Sequence, residues 1–145
     1  EGPVVIEAHR SGVRVQRLDQ VIDVDTVAVL RPTLGDAQRR EAVVRAFALI
    51  GTPFDFRFDA STPECLFCTE MVMRVIPQLR VPVRHAYGRP TVLPDEMARI
   101  ALVPGKGLDL SQYVEGTRNG WRIASPRDLE EALETAWRPK ALPSH

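Results

Sequence analysis

The sequence predicts one domain that mixes β-strands with α-helices, and three observations predict it. At 145 residues the chain has about the length of one domain and can bury a core without staples. Its first thirty residues alternate or run apolar as strands do, whereas the segments entered at Leu34 and at Ser61 carry helical spacing with start and stop signals. Apolar residues at 44% and charged residues at 26% describe an ordinary folded chain and not a disordered one.

The elements follow in order. Val4-Val5-Ile6 reads as a short apolar strand, Ser11-Gly12 as a turn, and Gly12 to Leu18 as a half-buried strand, so the two make a hairpin. Thr26 to Leu30 is a third strand whose continuous apolar run suggests a central place in its sheet. Asp36 is the expected N-cap of a helix with Ala37, Val43 or Val44, Phe47 and Ile50 on its core face, stopped by Gly51 and Pro53. The aromatic segment Phe54 to Asp59 leads to a second helix from about Glu64 to Ile76, with Met71, Val72, Val75 and Ile76 facing the core. Beyond Pro77 the pattern weakens. Leu79 to Val83 reads as extended, Pro94 to Met97 as a helix entry, Ile100 to Val103 as a strand, and Gly105 to Gly120 as a loop. Ser125-Pro126 then opens a terminal helix with Leu129, Leu133, Ala136 and Trp137 buried, and Arg138 to His145 is a loose tail. Most of the twelve prolines lie in the second half, so the first half is expected to be the better packed.

Composition excludes several classes. Nineteen basic against nineteen acidic side chains leave a formal charge of +0, which disfavours nucleic acid and gives no general attraction to anionic membranes. No transmembrane segment is expected, because no apolar run reaches about 18 residues. Two cysteines build no disulfide framework. No repeat or low-complexity segment is present. The chain starts at Glu1 without a signal-peptide pattern, which points to a processed or shortened chain and leaves the compartment and the oligomeric state open.

Cys65-Leu66-Phe67-Cys68 has the spacing of a redox pair, but Leu and Phe between the thiols suit burial better than redox access. A zinc site needs about four N or S ligands, and His9, His85 and His145 are scattered. The bland reading is two buried thiols on a core helix. The sharper one concerns Cys68 alone: near a helix N-terminus the backbone N–H groups and the macrodipole favour thiolate, and the same groups can hold an oxyanion. A hydrolase also needs a histidine base.

Gly51-Thr52-Pro53-Phe54-Asp55-Phe56-Arg57-Phe58-Asp59, followed by Leu66-Phe67-Cys68-Thr69-Glu70-Met71-Val72, resembles the G-x-P-Y-D … F-D … Y-C-S-E-L-V signature of the permuted papain-like cysteine hydrolases, the YiiX/YebB-like and YaeF-like branch of the NlpC superfamily. Gly2-Pro3-Val4-Val5-Ile6-Glu7-Ala8 with Gly12-Val13 is similar to that family's G-x-V-I-E-A … G-V hairpin, and Arg31-Pro32 after a strand also fits. The resemblance covers Glu1 to Ile76. The cysteine segment is its specific part.

The resemblance implies an α+β fold, an antiparallel and partly barrel-like sheet packed against helices, forming a single papain-like domain over 1–137 with its N-terminal part missing. It implies Cys68 as nucleophile and Glu7 as the acid that orients a catalytic histidine. That histidine belongs to a strand that would precede Glu1, and none of the three histidines matches it. His9 is two residues past Glu7 and shares its strand face, which fits a hairpin role; His85 and His145 lie in weakly structured stretches. Phe54 replaces the usual tyrosine, Thr69 the serine and Met71 the leucine. Phe54, Asp55, Thr69 and Glu70 are supporting candidates; Glu70 also suits a first helical turn paired with an arginine, and Asp55 and Asp59 suit loop capping.

The implied activity is thiol-dependent hydrolysis of a peptide-like or other small amide, without cofactor or metal. Two other readings stand beside it: an inactive family member that binds a ligand or partner, and a lipid acyl hydrolase or acyltransferase on the same scaffold.

Overall fold

The computed structural model describes residues 2–86 and 88–136. The described elements are β1 (Val4–His9), β2 (Gly12–Arg17), α1 (Leu18–Val21), β3 (Thr26–Pro32), α2 (Asp36–Ala48), α3 (Cys68–Val75), β4 (Arg84–Ala86), β5 (Arg89–Thr91), α4 (Pro94–Ala101), β6 (Leu108–Thr117), β7 (Gly120–Ala124) and α5 (Pro126–Ala136). Every strand pair within the sheets is antiparallel, and the helices pack against them, so the fold is α+β. No described helix is long and apolar enough to cross a membrane.

The hairpin forms where the alternation expects it, with Ile6 opposite Val15 and Glu7 opposite Arg14. Gly12 closes its turn at φ +106°, and a Cβ there would stand 2.9 Å from the Thr52 carbonyl oxygen. That close approach joins the hairpin to the segment after α2: Val13 N–H donates to Thr52 C=O at 2.9 Å, and Gly51 N–H donates to Val13 C=O at 2.8 Å.

The expected central strand is not central. Among the described residues the three-stranded sheet has the order β3-β6-β7, so β3 has a partner there on one side only, and Val29 is exposed. The middle strand is β6, inside the stretch expected to be a loop. Its apolar period is broken by a bulge: Val29 faces Gln112 and Leu30 faces Leu110, which leaves Ser111 as an extra residue. Leu108 and Leu110 before the bulge and Tyr113 after it are therefore all turned inward, Leu108 into one core cluster, Tyr113 into another and Leu110 against both, although their spacing is not that of one regular strand.

The helices differ from expectation at their starts. Asp36 is the first residue of α2, and the N-cap is Gly35, whose N–H donates to Gln38 Oε1 at 2.9 Å. No residue of α2 is buried: Val43, Val44, Phe47 and, just beyond it, Ile50 are all exposed. α3 begins at Cys68, not Glu64, because the preceding residues are held extended (below). Ile100 and Ala101 are helical and not strand, since Pro94 at the first turn starts a helix that buries Met97, Ala98 and Ala101. Leu79 and Val81 are buried, but no strand forms over 79–83.

The packing also reverses the expectation for the two halves. Val13 is the one buried apolar residue described before Leu66; the rest of the core follows it. Leu108, Val92, Met97 and Phe67 share one cluster. Tyr113, Ala98, Leu129 and Leu133 share another, which seats α4 and α5 on β6. Trp137, the Arg138 to His145 tail and His145 lie outside the described residues, as does the Ala136 side chain.

Two predictions follow from these joints. Gly12→Ala should lower stability by roughly 1–3 kcal/mol, read by urea unfolding, because alanine is strained at φ +106° and its methyl meets Thr52. At α5, the Asp128 carboxylate accepts from Ser125 N–H and Ser125 Oγ–H, both at 2.7 Å, and Ser125 Oγ accepts from Asp128 N–H. The Ser125 hydroxyl, then its N–H, hold the Asp128 carboxyl below the ordinary value. This contribution is complete above the unfolded pKa, about 4, and is lost as pH falls through the lowered folded value. Asp128→Asn should therefore flatten the acid limb of a stability–pH curve without shifting the neutral plateau's shape.

Candidate active site

The approach to Cys68 is built by two buried residues that face different cores. Leu66 is completely buried with Val13 and Met71, and Phe67 is 1% exposed among Leu79, Val81 and Val92. In an extended backbone, side chains at consecutive positions point to opposite faces. The extension is fixed by a parallel bridge between Phe54 and Leu66: Asp55 N–H donates to Leu66 C=O at 2.9 Å, and Leu66 N–H donates to Pro53 C=O at 3.0 Å. The helix can start only after Phe67, so Cys68 becomes its first residue.

The first intrahelical bond runs from Met71 N–H to Phe67 C=O at 2.9 Å. The N–H groups of Cys68, Thr69 and Glu70 precede that ladder, and Phe67 supplies no side-chain cap. Cys68 is exposed, whereas Cys65 is half-buried, and both are free thiols. The pair is thus neither jointly buried nor on one helix. Burial first, then the charges of Asp55, Glu70 and Glu64, push the Cys65 thiol up and keep it protonated.

Cys68 opens into a cleft of about 560 Å³. One wall is the aromatic loop with Phe56, Arg57 and Phe58; the other comes from Ala86, Arg89 and the Thr91–Pro94 segment, with Phe67, Cys68 and Thr69 between them. Thr69 is buried, and its hydroxyl donates to Val92 C=O at 2.5 Å, tying the start of α3 to the second wall. Ala60 N–H donates to Pro90 C=O at 2.9 Å, and Arg89 Nη1 donates to Arg57 C=O at 3.4 Å, tying the walls to each other.

Asp55 holds the aromatic wall. Its buried carboxylate accepts from Arg57 N–H and from Asp59 N–H, each at 2.8 Å, on either side of Phe58. Phe58 sits at φ +53°, the one non-glycine residue described in the left-handed region, a conformation that costs a side-chain residue about 1–3 kcal/mol. Edge contacts of Phe54 with Phe56 and Phe58 and a tilted contact of Phe58 with Phe67 complete the wall. Asp59 in turn accepts from the N–H and hydroxyl of Ser61.

The other sequence candidates take other places. Glu70 is buried; Oε1 accepts from Arg74 Nη2 at 2.7 Å, and Oε2 has no hydrogen-bond partner among the described residues. Arg74 also donates to Pro63 C=O and Thr62 C=O, so this pair braces the loop before the cysteine. Glu7 accepts from Arg14 Nε at 2.8 Å. It lies on the face of β1 opposite Ile6 and Ala8, which pack against the Leu66–Met71 cluster, and it does not line the Cys68 cleft. His9 Nδ1 accepts from Ser11 N–H at 3.2 Å and lies 3.0 Å from Ser11 Oγ, a turn contact of the hairpin. His85 is exposed on β4, not in an unstructured stretch, and lines a neighbouring depression with Arg84, Glu96 and Arg99. No described histidine lines the Cys68 cleft, and no group of three metal-ligating side chains is assembled among the described residues.

Arg57, Phe56 and Phe58 lie inside the motif string yet were not singled out from sequence, because the signature carries no sign that they form a wall. Arg89, Thr91 and Val92 carry no signal at all, since the stretch beyond Pro77 has no periodicity to read.

An exposed thiol at the first residue of a helix, packed on an antiparallel hairpin, is the frame of a papain-type cysteine hydrolase. The model of the permuted papain-like amidases, YaeF/YiiX, C92 family, matches residues 1–119, and the chain belongs to that family. No match was found among curated proteins or among solved structures.

Asp55→Ala should cost about 2–4 kcal/mol, since two loop N–H groups lose their acceptor, and Asp55→Asn, which keeps one acceptor oxygen, should cost less. Chemical denaturation of the two variants checks the order.

Proposed function

We propose that the chain is a thiol-dependent hydrolase of peptide-like or other small amides, with Cys68 as nucleophile. The observation that supports this is the exposed thiol at the first position of α3, facing a cleft beside N–H groups outside the helical ladder. In this reading the Cys68 thiolate attacks the amide carbonyl carbon, and the carbonyl π electrons move to oxygen. The N–H groups opening α3 stabilise that oxyanion. Collapse of the intermediate breaks the C–N bond, and the amine leaves with the proton first taken from Cys68. Water then adds to the thioester, releases the acid and restores the thiol.

The proton carrier in this reading is a histidine on a strand preceding Glu1, within one papain-like domain, and Glu7 orients its imidazole. What supports Glu7 is its motif match and its carboxylate secured by Arg14. A second reading, ester hydrolysis or acyl transfer on lipids, is favoured by the apolar lining from Phe56, Phe58, Val92, Leu93 and Pro94.

The test uses the full protein with whatever coding sequence precedes Glu1. Iodoacetamide should label Cys68 faster than Cys65, read by peptide mass spectrometry. Cys68→Ser should abolish hydrolysis of acyl-peptide amides, by on the order of 10³-fold or more, while Cys65→Ser leaves it nearly unchanged. Glu7→Gln should lower kcat by roughly 10²-fold or more. A Cys68→Ser protein as active as the parent sinks the hydrolase reading, and equal labelling of the two thiols favours the inactive binder. Faster turnover of ester-linked lipid than of amide selects the second reading.

A further inference from the structure

We infer that the Cys68 cleft selects substrates carrying an anionic group, carboxylate or phosphate, next to the acyl bond, and that Arg57 and Arg89 are the residues that recognise it. The inference rests on the hydrolase reading for the bond cleaved, but its geometry is independent of the nucleophile.

Among the described residues, Arg57 and Arg89 are the two charged side chains lining the cleft, and no carboxylate lines it. Other arginines are paired with acids: Arg14 with Glu7, Arg74 with Glu70 and Arg84 with Glu96. Neither Arg57 nor Arg89 forms an ion pair with a described carboxylate, and both are exposed to the cleft's solvent. The two acids beside them are already engaged. Asp55 accepts from the N–H groups of Arg57 and Asp59, and Asp59 accepts from the N–H and hydroxyl of Ser61. Those donors are neutral, so both acids keep their charge, and Asp59 feels both guanidinium groups; the pair's preference for an anion therefore rests on its free N–H donors facing the cleft.

The two cations also sit on opposite walls that are fastened to each other. Arg89 Nη1 reaches the Arg57 carbonyl oxygen, and the adjoining Ala60–Pro90 bond keeps the walls in register. The Arg89 guanidinium is therefore held at the cleft before any ligand enters, which lowers the ordering cost on that wall. A guanidinium offers planar donors that suit carboxylate and phosphate oxygens. The remaining lining is apolar and aromatic, with Phe56, Phe58 and Val92 available to the uncharged part of the substrate. Apolar walls lower the local dielectric, which strengthens attraction to an anion and penalises a cationic competitor.

The experiment compares matched pairs on the full protein: an N-acyl dipeptide with a free α-carboxylate against its C-terminal carboxamide, and a diacyl lipid with a phosphate monoester against the neutral diacylglycerol. The anionic member should be preferred in at least one pair, with a preference that weakens as ionic strength rises; the pair that shows it identifies the source of the anion. Arg57→Gln and Arg89→Gln should each reduce kcat/KM for that anionic member by roughly 10–100-fold, mainly through KM, and leave its neutral counterpart little changed. Arg89→Lys keeps the charge and guards against loss of the Arg57 contact as a folding effect; it should recover part of the preference. Equal rates within both pairs, or variants that slow charged and neutral substrates alike, overturn the inference. Should neither bond be cleaved, the hydrolase reading fails while this one is still decided by calorimetric binding of the same compounds to the Cys68→Ser protein. Tighter binding of the anionic members, lost in Arg57→Gln, supports it, and equal binding overturns it.

Discussion

Two adjacent side chains buried in two different cores carry the site. The bridge between Leu66 and Phe54 holds the chain extended where the two stand, and an extended chain cannot already be helical. That bridge, with both side chains buried, delays the start of α3 to Cys68. Burying two such side chains is worth about 1.5–3 kcal/mol each, which anchors the segment that the bridge extends. The exposed thiol and the N–H groups beside it are consequences of that anchoring.

The cleft has the opposite character. Its aromatic wall includes a phenylalanine in the left-handed region, held by one buried carboxylate that grips the backbone on both sides. Strain of this kind persists where the surroundings over-determine it, and here Asp55 supplies the determination from inside the motif that also forms the Leu66 bridge. One short segment thus sets both the position of the cysteine and the shape of the wall opposite it. The Thr69–Val92 bond then brings the second wall to the same helix terminus.

Legibility in the sequence followed how local each element is. The hairpin, α5 with its Ser125–Asp128 cap, and the Cys68 segment are written in neighbouring residues, and they were read from those residues. β6 was not, because the extra Ser111 shifts its apolar phase and the bulge is defined only against β3. The apolar run of β3 suggests a central place, yet such a run measures hydrophobicity and not the number of neighbours. α2 misled in the same way: Val43, Val44 and Phe47 have helical spacing but no described partner face. In the site, Cys68, Asp55 and Thr69 came from the motif, while Arg89 and Val92 are brought in by tertiary pairing that leaves no mark on a single sequence.

The β3–β6 pairing has a topological consequence. Pro32 opposite Leu108, with Thr33 N–H on Gly107 C=O, closes a circuit over residues 33–107. Cys68 and every residue described as lining its cleft belong to that circuit; Glu7 does not. The hairpin is attached from outside, through the Val13 bonds to Gly51 and Thr52 and through Ile6 and Ala8. Closing such a long loop costs more chain entropy than closing a hairpin turn, so the two parts differ in how local their contacts are. In modular terms, the circuit owns Cys68 and its pocket, and whatever the hairpin sheet carries reaches them through a seam that runs past Gly12.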